Sequence, residues 1–467
     1  MNHSHNSTDK LSPGKASPDT LSMDTLSILC AEHAKNNYID PALFEKFQVK
    51  RGLRNPDGSG VMAGLTHICA VHGYVINDGE RQPDEGRLYY RGIDVADLIA
   101  GCVEEQRFGF EETVWLLLFG SLPNREQLRS FSDLLAECRT LPGNFTEDMI
   151  MKAPSPDIMN KLARSVLALY TYDESPDDIS LSNLIRQSIA LIAHMPAIMT
   201  CAYQVKRGHY YNQSMYFHPN NTKHTMAEYI LSCIRSDCQF TLEEARLLDL
   251  CLTLHAEHGG GNNSTFAARV VSSSNTDTYS AIAAAIGSLK GPRHGGANIK
   301  VMEMLGHIKR EVACPTDDDQ LAAGLERLIR KEIGDGSGLV YGMGHAVYTL
   351  SDPRAVILKQ RARATANAKG FGEDFAILEG VERLTPAVFA KVKGDNKVIC
   401  ANVDLYSGLV YQSLGIPQDL FTPMFAVARI AGWCAHRIEE ITTGGRIIRP
   451  AYKSVGGRTA FVPLDQR

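Results

Sequence analysis

Four side chains in this sequence combine acid–base chemistry with glycine-rich or apolar surroundings: His258, His294, His345 and Asp404. His294 lies in a glycine-rich bend, Gly-Pro-Arg-His-Gly-Gly-Ala-Asn, between two segments with helical patterning. We expect it near the positive end of a helix dipole, which leaves a neutral ring able to hydrogen-bond a developing oxyanion. The local pattern is equally consistent with a histidine that caps a loop between helices.

His258 and His345 each allow more than one interpretation. His255 and His258 share a helix face, so they would suit a metal pair, but the sequence offers no third ligand. The apolar stripe around His258 is more typical of a buried, hydrogen-bonded histidine. His345 follows Gly342 and Gly344, which let a ligand or a helix approach the backbone closely, although a solvent-facing loop would also fit. The spacing of these glycines excludes a dinucleotide fingerprint.

A carboxylate and three arginines complete the set. Asp404 has mostly apolar neighbours in sequence, so its carboxylate is either paired or has a raised pKa that suits a base. An ordinary aspartate at a helix N-terminus is the alternative. Arg429 interrupts an apolar run and needs an anionic partner, either an internal acidic residue or a ligand carboxylate. Arg354 follows an Asp-Pro pair, and Arg449 lies in a loop that is uninformative by itself.

The elements that must position these side chains are mostly helical. Helical spacing of apolar residues dominates from residue 93 to 313 and again from 317 to 441, whereas β-like alternation is confined to residues 61–91. Thr241 and Glu244 predict a capping box at one helix start, and Thr422 before Pro423 predicts the N-cap of the last helix. The sequence therefore predicts a mainly α protein with one small sheet near the N-terminus.

Composition and charge disfavour several other classes of protein. The 467 residues carry a formal net charge of −5, which argues against nucleic acid as a partner. No apolar run suggests a membrane span, and the polar first 24 residues predict a flexible tail rather than a targeting segment. The 11 cysteines lack CxxC pairs, so we expect reduced thiols in a cytoplasmic protein. Since no zinc signature, P-loop or nucleophile motif is evident, no metal is expected.

The order of the motifs resembles the citrate synthase family. The chain contains His-x-x-His with following glycines and Asn-x-Ser (255–264), Gly-Pro-x-His-Gly-Gly-Ala-Asn (291–298), Gly-x-Gly-His-x-Val-Tyr with Asp-Pro-Arg (342–354), Asn-Val-Asp-x-Tyr-Ser-Gly (402–408), Phe-Ala-x-x-Arg (425–429) and a final Arg-Pro (449–450). The resemblance spans roughly residues 60 to 455. It implies a two-domain helical fold, with a large domain of residues 25–296 and 415–467 and a small domain of residues 297–414, which follow the tail of residues 1–24.

The resemblance also implies an acyltransferase that condenses acetyl-CoA with oxaloacetate and water to give citrate and CoA. Asp404 resembles the base that removes a methyl proton, and His294 resembles the neutral imidazole that hydrogen-bonds the thioester oxygen as the enol forms. His345 resembles the group that polarises the ketone of oxaloacetate. The residues that resemble the oxaloacetate-binding set are His258, Arg354, Arg429 and Arg449. Acetyl-CoA is a substrate here, so no cofactor is implied.

For coenzyme A, the resemblance implies contacts mainly through the backbone of the glycine loop. The residues concerned are Leu339, Gly342 and Gly344, together with Asn402. In the family the last arginine comes from the partner subunit, so a homodimer is implied, with Arg449 contributed across the interface.

The chain departs from the family pattern at two positions. Gly259 stands where members often have an acidic residue, and Thr349 stands where some have a basic residue usable for CoA phosphate. Lys359, Arg361 or Arg363 could supply that positive charge instead.

Two other functions use similar residues. A 2-methylcitrate synthase would use propionyl-CoA with the same machinery, and one methylene in an apolar pocket is worth only about 1–3 kcal/mol of discrimination. A non-catalytic paralogue that senses CoA or a dicarboxylate is disfavoured, since it would have no need of Asp404 together with His294 and His345.

Overall fold

The computed structural model describes residues 22–78, 80–394 and 398–467. Within these ranges the chain forms seventeen α-helices and one three-stranded sheet, so the predicted mainly α fold is confirmed. The helices are α1 (Met23–Asn36), α2 (Ala42–Lys46), α3 (Val95–Glu104), α4 (Phe110–Phe119), α5 (Arg125–Glu137), α6 (Ile158–Leu169), α7 (Leu181–Tyr211), α8 (Met226–Ile234), α9 (Leu242–His255), α10 (Asn263–Ser272), α11 (Thr278–Lys290), α12 (Ala297–Glu311), α13 (Asp318–Ile329), α14 (Pro353–Ala368), α15 (Gly372–Lys393), α16 (Asp404–Ser413) and α17 (Phe421–Thr442).

The chain divides into two compact units. One unit combines the described residues before Met62 with Pro450–Arg467, and it contains α1 and α2. Residues 1–21 of the predicted tail lie outside the described residues, and α1 already begins at Met23, where Ser22 caps it. The other unit, Met62–Arg449, contains the sheet, the remaining helices and every candidate site residue. The further predicted division of the helical body at residues 297 and 414 stays a prediction.

The small sheet near the N-terminus is also as predicted. It consists of β1 (Cys69–Asn77), β2 (Glu80–Tyr90) and β3 (Ile93–Asp94), paired antiparallel in that order. A Cβ atom built at Gly86 would lie 2.0 Å from the carbonyl oxygen of Ser351, so the hairpin packs directly on the chain that follows His345. Arg81 Nη2 also donates to the carbonyl of Val347, over 3.0 Å. The hairpin therefore supports the segment that carries His345.

Two buried helices bring distant candidate residues into the interior. All residues of α17 from Phe421 to Arg437 are buried, and most of them are apolar, as is typical of a core helix. On α9, the run Leu247–His255 is likewise buried, and its start carries the predicted Thr241–Glu244 capping box. Because α9 and α17 pack against each other, the two histidines at the end of α9 lie close to Arg429 on α17.

One prediction about helix ends was wrong. The last helix begins at Phe421 with Leu420 as its N-cap, so Thr422 lies inside the first turn. The hydroxyl of Thr422 donates to the carbonyl of Gly295 over 2.9 Å instead of capping its own helix. This tertiary contact attaches α17 to the bend that holds His294.

Helix α7 is the longest helix in the described part of the chain. By length and composition this 31-residue helix, alone among the described helices, could cross a membrane. However, 78% of its most apolar window is buried inside the fold, which is typical of a core helix.

Candidate active site

The last residue of α9, His255, and the turn that follows present two neutral histidines to the interior. Nδ1 of His255 donates to the carbonyl of Cys251 over 2.7 Å, and burial lowers the pKa of His255 to about 3. Burial, reinforced by the charge of Arg354, also lowers the pKa of His258 well below its usual range. Nε2 of His258 lies 3.2 Å from the hydroxyl of Tyr348, and its ring centroid is 5.1 Å from that of His345. His258 therefore joins the loop of His345 rather than forming a metal pair with His255.

The loop around His345 determines which nitrogen of that ring can act. Nδ1 of His345 accepts the backbone N–H groups of Val347 and Tyr348 over 3.0 and 3.1 Å. In the neutral ring the proton therefore resides on Nε2, the nitrogen that can donate to a carbonyl oxygen. The ring of Tyr348 packs against His345 with centroids 4.6 Å apart.

Arg354 is buried and held by a carboxylate of its own segment. Its Nε and Nη2 donate to the two oxygens of Asp352 over 3.0 and 2.7 Å, which is a bidentate pair. Asp352 also caps α14 and accepts the backbone N–H of Val403 over 3.2 Å. Arg354 is thereby attached to the residue that precedes Asp404. The bidentate pair fixes the position of the guanidinium of Arg354. The charge of that guanidinium lowers the pKa of Asp404, against the effect of burial.

Arg429 is fully buried, with 0% of its surface exposed, and is incompletely paired. Its Nε donates to the carbonyl of His255 over 2.6 Å, and its guanidinium lies 4.6 Å from the centroid of the Phe425 ring. Within the described part of the chain, its Nη1 and Nη2 atoms have no hydrogen-bond partner. A buried cation with two unused donors is costly unless an anion completes its coordination. For the hydrogen-bond partner of these two donors, this geometry favours a ligand carboxylate over an internal acidic residue.

His294 shortly precedes α12, which begins at Ala297 as predicted, but its ring contacts the start of a different helix, α10. Nε2 of His294 lies 3.3 Å from the backbone nitrogen of Ser264 in the first turn of α10, and 3.1 Å from the hydroxyl of that serine. That hydroxyl bonds in turn to Asn262 and to Trp433 of α17. Burial and then the charge of Arg429 lower the pKa of His294 to about 4. The ring is therefore neutral, with its proton on Nδ1.

Asp404 is the first residue of α16 and has the properties expected of a base. Burial raises the pKa of its carboxyl to about 6, against the opposing charge of Arg354. Among the described residues, no group donates a hydrogen bond to this carboxylate. Its backbone N–H, in contrast, donates to the side-chain oxygen of Asn402 over 3.0 Å.

The glycine loop is attached to the segment that leads to Asp404. The side-chain amide of Asn402 donates to the carbonyl of Gly344, and its backbone N–H donates to that of Gly342, both over 2.9 Å. Gly342 has φ +81°, and a Cβ there would lie 2.8 Å from Cα of Leu405. Both ends of the Asn402 amide are thus used to position the loop and α16. Leu339, which is 57% exposed, lies at the start of this loop.

Arg449 is the one predicted substrate-binding residue that the chain does not bring to this cluster. It is exposed, and it forms no hydrogen bond or ion pair with any described residue. Its neighbour Ile448 donates from its backbone to the hydroxyl of Ser273 over 3.0 Å. A contribution of Arg449 across a subunit interface stays a prediction.

Sequence reasoning missed four contributors, although each lies within a motif that it used: Ser264, Tyr348, Asp352 and Glu257. Their importance depends on partners elsewhere in the chain, such as His294 for Ser264 and His436 for Glu257. The serine of Asn-x-Ser and the aspartate of Asp-Pro-Arg were the available signals.

A buried cluster of neutral imidazoles, guanidinium groups and one carboxylate of raised pKa suits an enzyme that acts on a small anionic substrate. The chain belongs to the citrate synthase family, since the family model described as "Citrate synthase, C-terminal domain" matches residues 57–451.

Curated relatives agree with this family. A citrate synthase of Haloferax volcanii is 33% identical over 427 residues, which cover 90% of this chain and 99% of that protein. A protein named 2-methylcitrate synthase 1, from Corynebacterium glutamicum, is 31% identical over 428 residues, again covering 90% of this chain and 99% of the relative.

Solved structures show the same fold. A citrate synthase from Thermotoga maritima MSB8 matches with a TM-score of 0.70 and 30% identity, over 90% of this chain and 99% of the other. A ternary complex of carboxymethyl coenzyme A and oxaloacetate with citrate synthase from Thermoplasma acidophilum matches with a TM-score of 0.72 and 27% identity, with the same coverage.

Proposed function

We propose that this protein is a citrate synthase, which condenses acetyl-CoA with oxaloacetate and water to give citrate and CoA. The observation that carries the proposal is the combination of Asp404, whose pKa is raised to about 6, with a neutral His294 whose proton is on Nδ1. A weak carbon acid needs both a base and a hydrogen-bond donor for the oxygen on which charge develops. The relatives named citrate synthase support the same reaction.

In the first step, Asp404 removes a proton from the methyl group of acetyl-CoA. Nδ1–H of His294 donates to the thioester oxygen, which becomes the enol oxygen as the C–H bond breaks. Since this imidazole has a pKa of about 4, it donates a hydrogen bond without already being charged in the resting enzyme. Its Nε2 accepts the backbone N–H of Ser264, a hydrogen bond that the other tautomer would lose.

In the second step, the enol carbon attacks the ketone of oxaloacetate. Nε2–H of His345 donates to the ketone oxygen and stabilises the alkoxide that forms. Hydrolysis of the resulting citryl thioester by water then releases CoA and citrate. His258, Arg354 and Arg429 hold the carboxylates of oxaloacetate, and the unpaired Nη atoms of Arg429 supply the strongest support for this role.

The remaining site assignments belong to the same proposal. Arg449 completes the oxaloacetate site from the partner subunit of a homodimer. Leu339, Gly342, Gly344 and Asn402 line the coenzyme A site, the glycines through their backbone and Asn402 by shaping the loop. Acetyl-CoA and oxaloacetate are the only small-molecule partners, with no cofactor or metal. A reducing, cytoplasmic location is consistent with eleven free thiols.

A second candidate is 2-methylcitrate synthase, because a relative of that name aligns over 90% of this chain. It would use propionyl-CoA with the same residues in the same roles. The two functions differ by one methylene in the acyl group, so they are separated by relative rates and not by the presence of catalytic residues.

Release of free thiol from acetyl-CoA, measured with and without oxaloacetate, tests the proposal. We expect release only when oxaloacetate is present, with citrate as the product. The same assay with propionyl-CoA gives the ratio of kcat/KM values. A ratio that strongly favours propionyl-CoA would replace the leading function with the second one, and no release with either thioester would refute both.

A further inference from the structure

Glu257 is a carboxylate in the candidate site to which the proposed chemistry gives no role. It lies between His255 and His258 with 0% of its surface exposed. Its Oε1 accepts the backbone N–H of Gly259 over 2.6 Å and Nε2–H of His436 over 3.0 Å. Its Oε2 has no hydrogen-bond partner in the described ranges. A carboxylate so deeply buried requires a compensating positive charge.

The network of side-chain hydrogen bonds behind Glu257 does not neutralise the charge of its carboxylate. Arg269 donates to Nδ1 of His436 through Nε at 3.0 Å and Nη2 at 2.6 Å. Because a guanidinium can only donate, Nδ1 of His436 must accept, and the single ring proton resides on Nε2. Arg269 itself forms ion pairs with Glu439 and Glu440. This network therefore orients the carboxylate of Glu257. The charge of Arg269 is balanced by Glu439 and Glu440.

The unpartnered oxygen of Glu257 lies against the helix that carries Arg429. A Cβ built at Gly432 would be only 1.9 Å from Oε2 of Glu257 and 2.7 Å from the carbonyl of Ala256, which requires glycine at this position. The N–H of Gly432 donates to the same carbonyl over 3.2 Å. Since Gly432 follows Arg429 by one helical turn, the free oxygen and the unpaired guanidinium occupy the same buried region.

The other nearby carboxylates have different partners. Asp352 is occupied by the bidentate pair with Arg354, and Asp404 acts as the proposed base. Burial lowers the pKa of Arg429, and Glu257 is the strongest influence that opposes this effect. Glu257 does not form a direct salt bridge with Arg429 in the described structure, so it compensates the cation without occupying its Nη donors.

We propose that Glu257 is the internal counter-ion of Arg429 in the ligand-free enzyme, and that it restrains the affinity of the site for its anionic substrate. The carboxylate stabilises the buried guanidinium when no ligand is present. A substrate carboxylate that binds Arg429 then enters the field of a second, fixed negative charge. Glu257 is thus a positioning residue that acts through Arg429. The ligand half of this inference rests on the proposed function, with oxaloacetate as the anion.

The decisive variant is Glu257→Gln, which keeps an oxygen for Gly259 and His436 but removes the charge. We expect its melting temperature without ligand to fall, because Arg429 loses its counter-ion. We expect its dissociation constant for oxaloacetate, measured by calorimetric titration without acetyl-CoA, to fall by about tenfold. A residue that only supports the fold would lose stability and affinity together.

Glu440→Gln is the matched control, because it makes the same chemical change at the far end of the same network. Its oxaloacetate affinity should equal that of the wild type. If the wild type binds oxaloacetate but Glu257→Gln binds it equally well or more weakly, the counter-ion inference is wrong and the proposed function stands. If the wild type does not bind oxaloacetate, the proposed function fails.

A double variant tests, without any ligand, whether Glu257 stabilises the buried guanidinium of Arg429. If Glu257 compensates Arg429, then Glu257→Gln combined with Arg429→Gln should melt at a higher temperature than the two single effects predict. This comparison also serves if Glu257→Gln alone folds poorly, because the double variant removes both charges. Strictly additive effects would contradict the inference.

Discussion

The backbone N–H of Ser264 points at Nε2 of His294 across 3.3 Å, and this contact decides which nitrogen of the imidazole can act. The donor belongs to the first turn of α10, where backbone N–H groups have no partner within the helix. A positive helix end beside the ring disfavours imidazolium, in agreement with the pKa of about 4. The proton is therefore presented from Nδ1 at neutral pH, ready for an oxyanion.

Replacing His294 by glutamine should lower kcat by about 100-fold to 1,000-fold, the usual effect of losing one oxyanion donor. Oxaloacetate binding should be nearly unchanged, because Arg429 and His258 hold that substrate in our proposal. Stopped assays of thiol release and calorimetric titration measure the two effects separately. Ser264→Ala is the control, since it keeps the backbone N–H that fixes the tautomer; a loss in kcat as large as that of His294→Gln would contradict the assignment.

Asp404 should set the acidic limb of the pH–rate profile. A base must be ionised to act, and burial raises the pKa of this carboxyl to about 6. Activity should therefore fall as the pH decreases through about 6, and Asp404→Asn should lower kcat by about 100-fold or more at every pH. A variant that retains near-normal turnover would show that another group is the base.

The same raised pKa has a consequence for stability. The folded-state pKa of Asp404, about 6, exceeds the value of about 3.9 in an unfolded chain, so the folded state binds more protons between these values. The contribution of this group to stability is complete below about pH 4 and is lost as the pH rises through about 6.

Asp404→Asn should consequently stabilise the ligand-free protein at about pH 7.5, by at most about 3 kcal/mol of unfolding free energy, and so raise its melting temperature. At about pH 4, where aspartate is largely neutral in the folded protein, the difference should nearly vanish. Calorimetric melts at the two pH values provide the measurement. A variant that is less stable than the wild type at neutral pH would indicate that the carboxylate has a compensating partner.

Gly342 offers a test of how the glycine loop is held against α16. Alanine at this position would have an unfavourable φ of +81° and a Cβ 2.8 Å from Cα of Leu405. At Gly336, with φ +73°, the Cβ would meet nothing within 4 Å. Gly336→Ala should therefore cost only about 1 kcal/mol of stability. Gly342→Ala should cost more and should also lower kcat/KM, because the loop must move away from the helix that begins with Asp404.

Melting temperatures and kcat/KM values of these two variants suffice for the comparison. If both variants lose the same stability and keep full activity, the close contact between Gly342 and Leu405 does not position the site.

Local sequence signals predicted the parts of the fold that depend on neighbouring residues. The Thr241–Glu244 capping box formed as expected, because donor and acceptor lie three residues apart. Helical spacing predicted the dominant architecture, and alternation predicted the small sheet. The prediction failed at Thr422, whose hydroxyl bonds to the carbonyl of Gly295 instead of capping α17. That partner lies 127 residues earlier, beyond the reach of any local rule.

The amino-acid sequence by itself determined the candidate chemistry: histidines in glycine-rich bends, an aspartate among apolar neighbours and an arginine on an apolar helix face. Only the tertiary structure decided the tautomers of His294 and His345, the pairing of Arg354 with Asp352, and the position of Glu257 beside the helix of Arg429. The reason is physical. Protonation and charge compensation depend on burial and on groups within a few ångströms, and folding brings those groups together from distant parts of the chain.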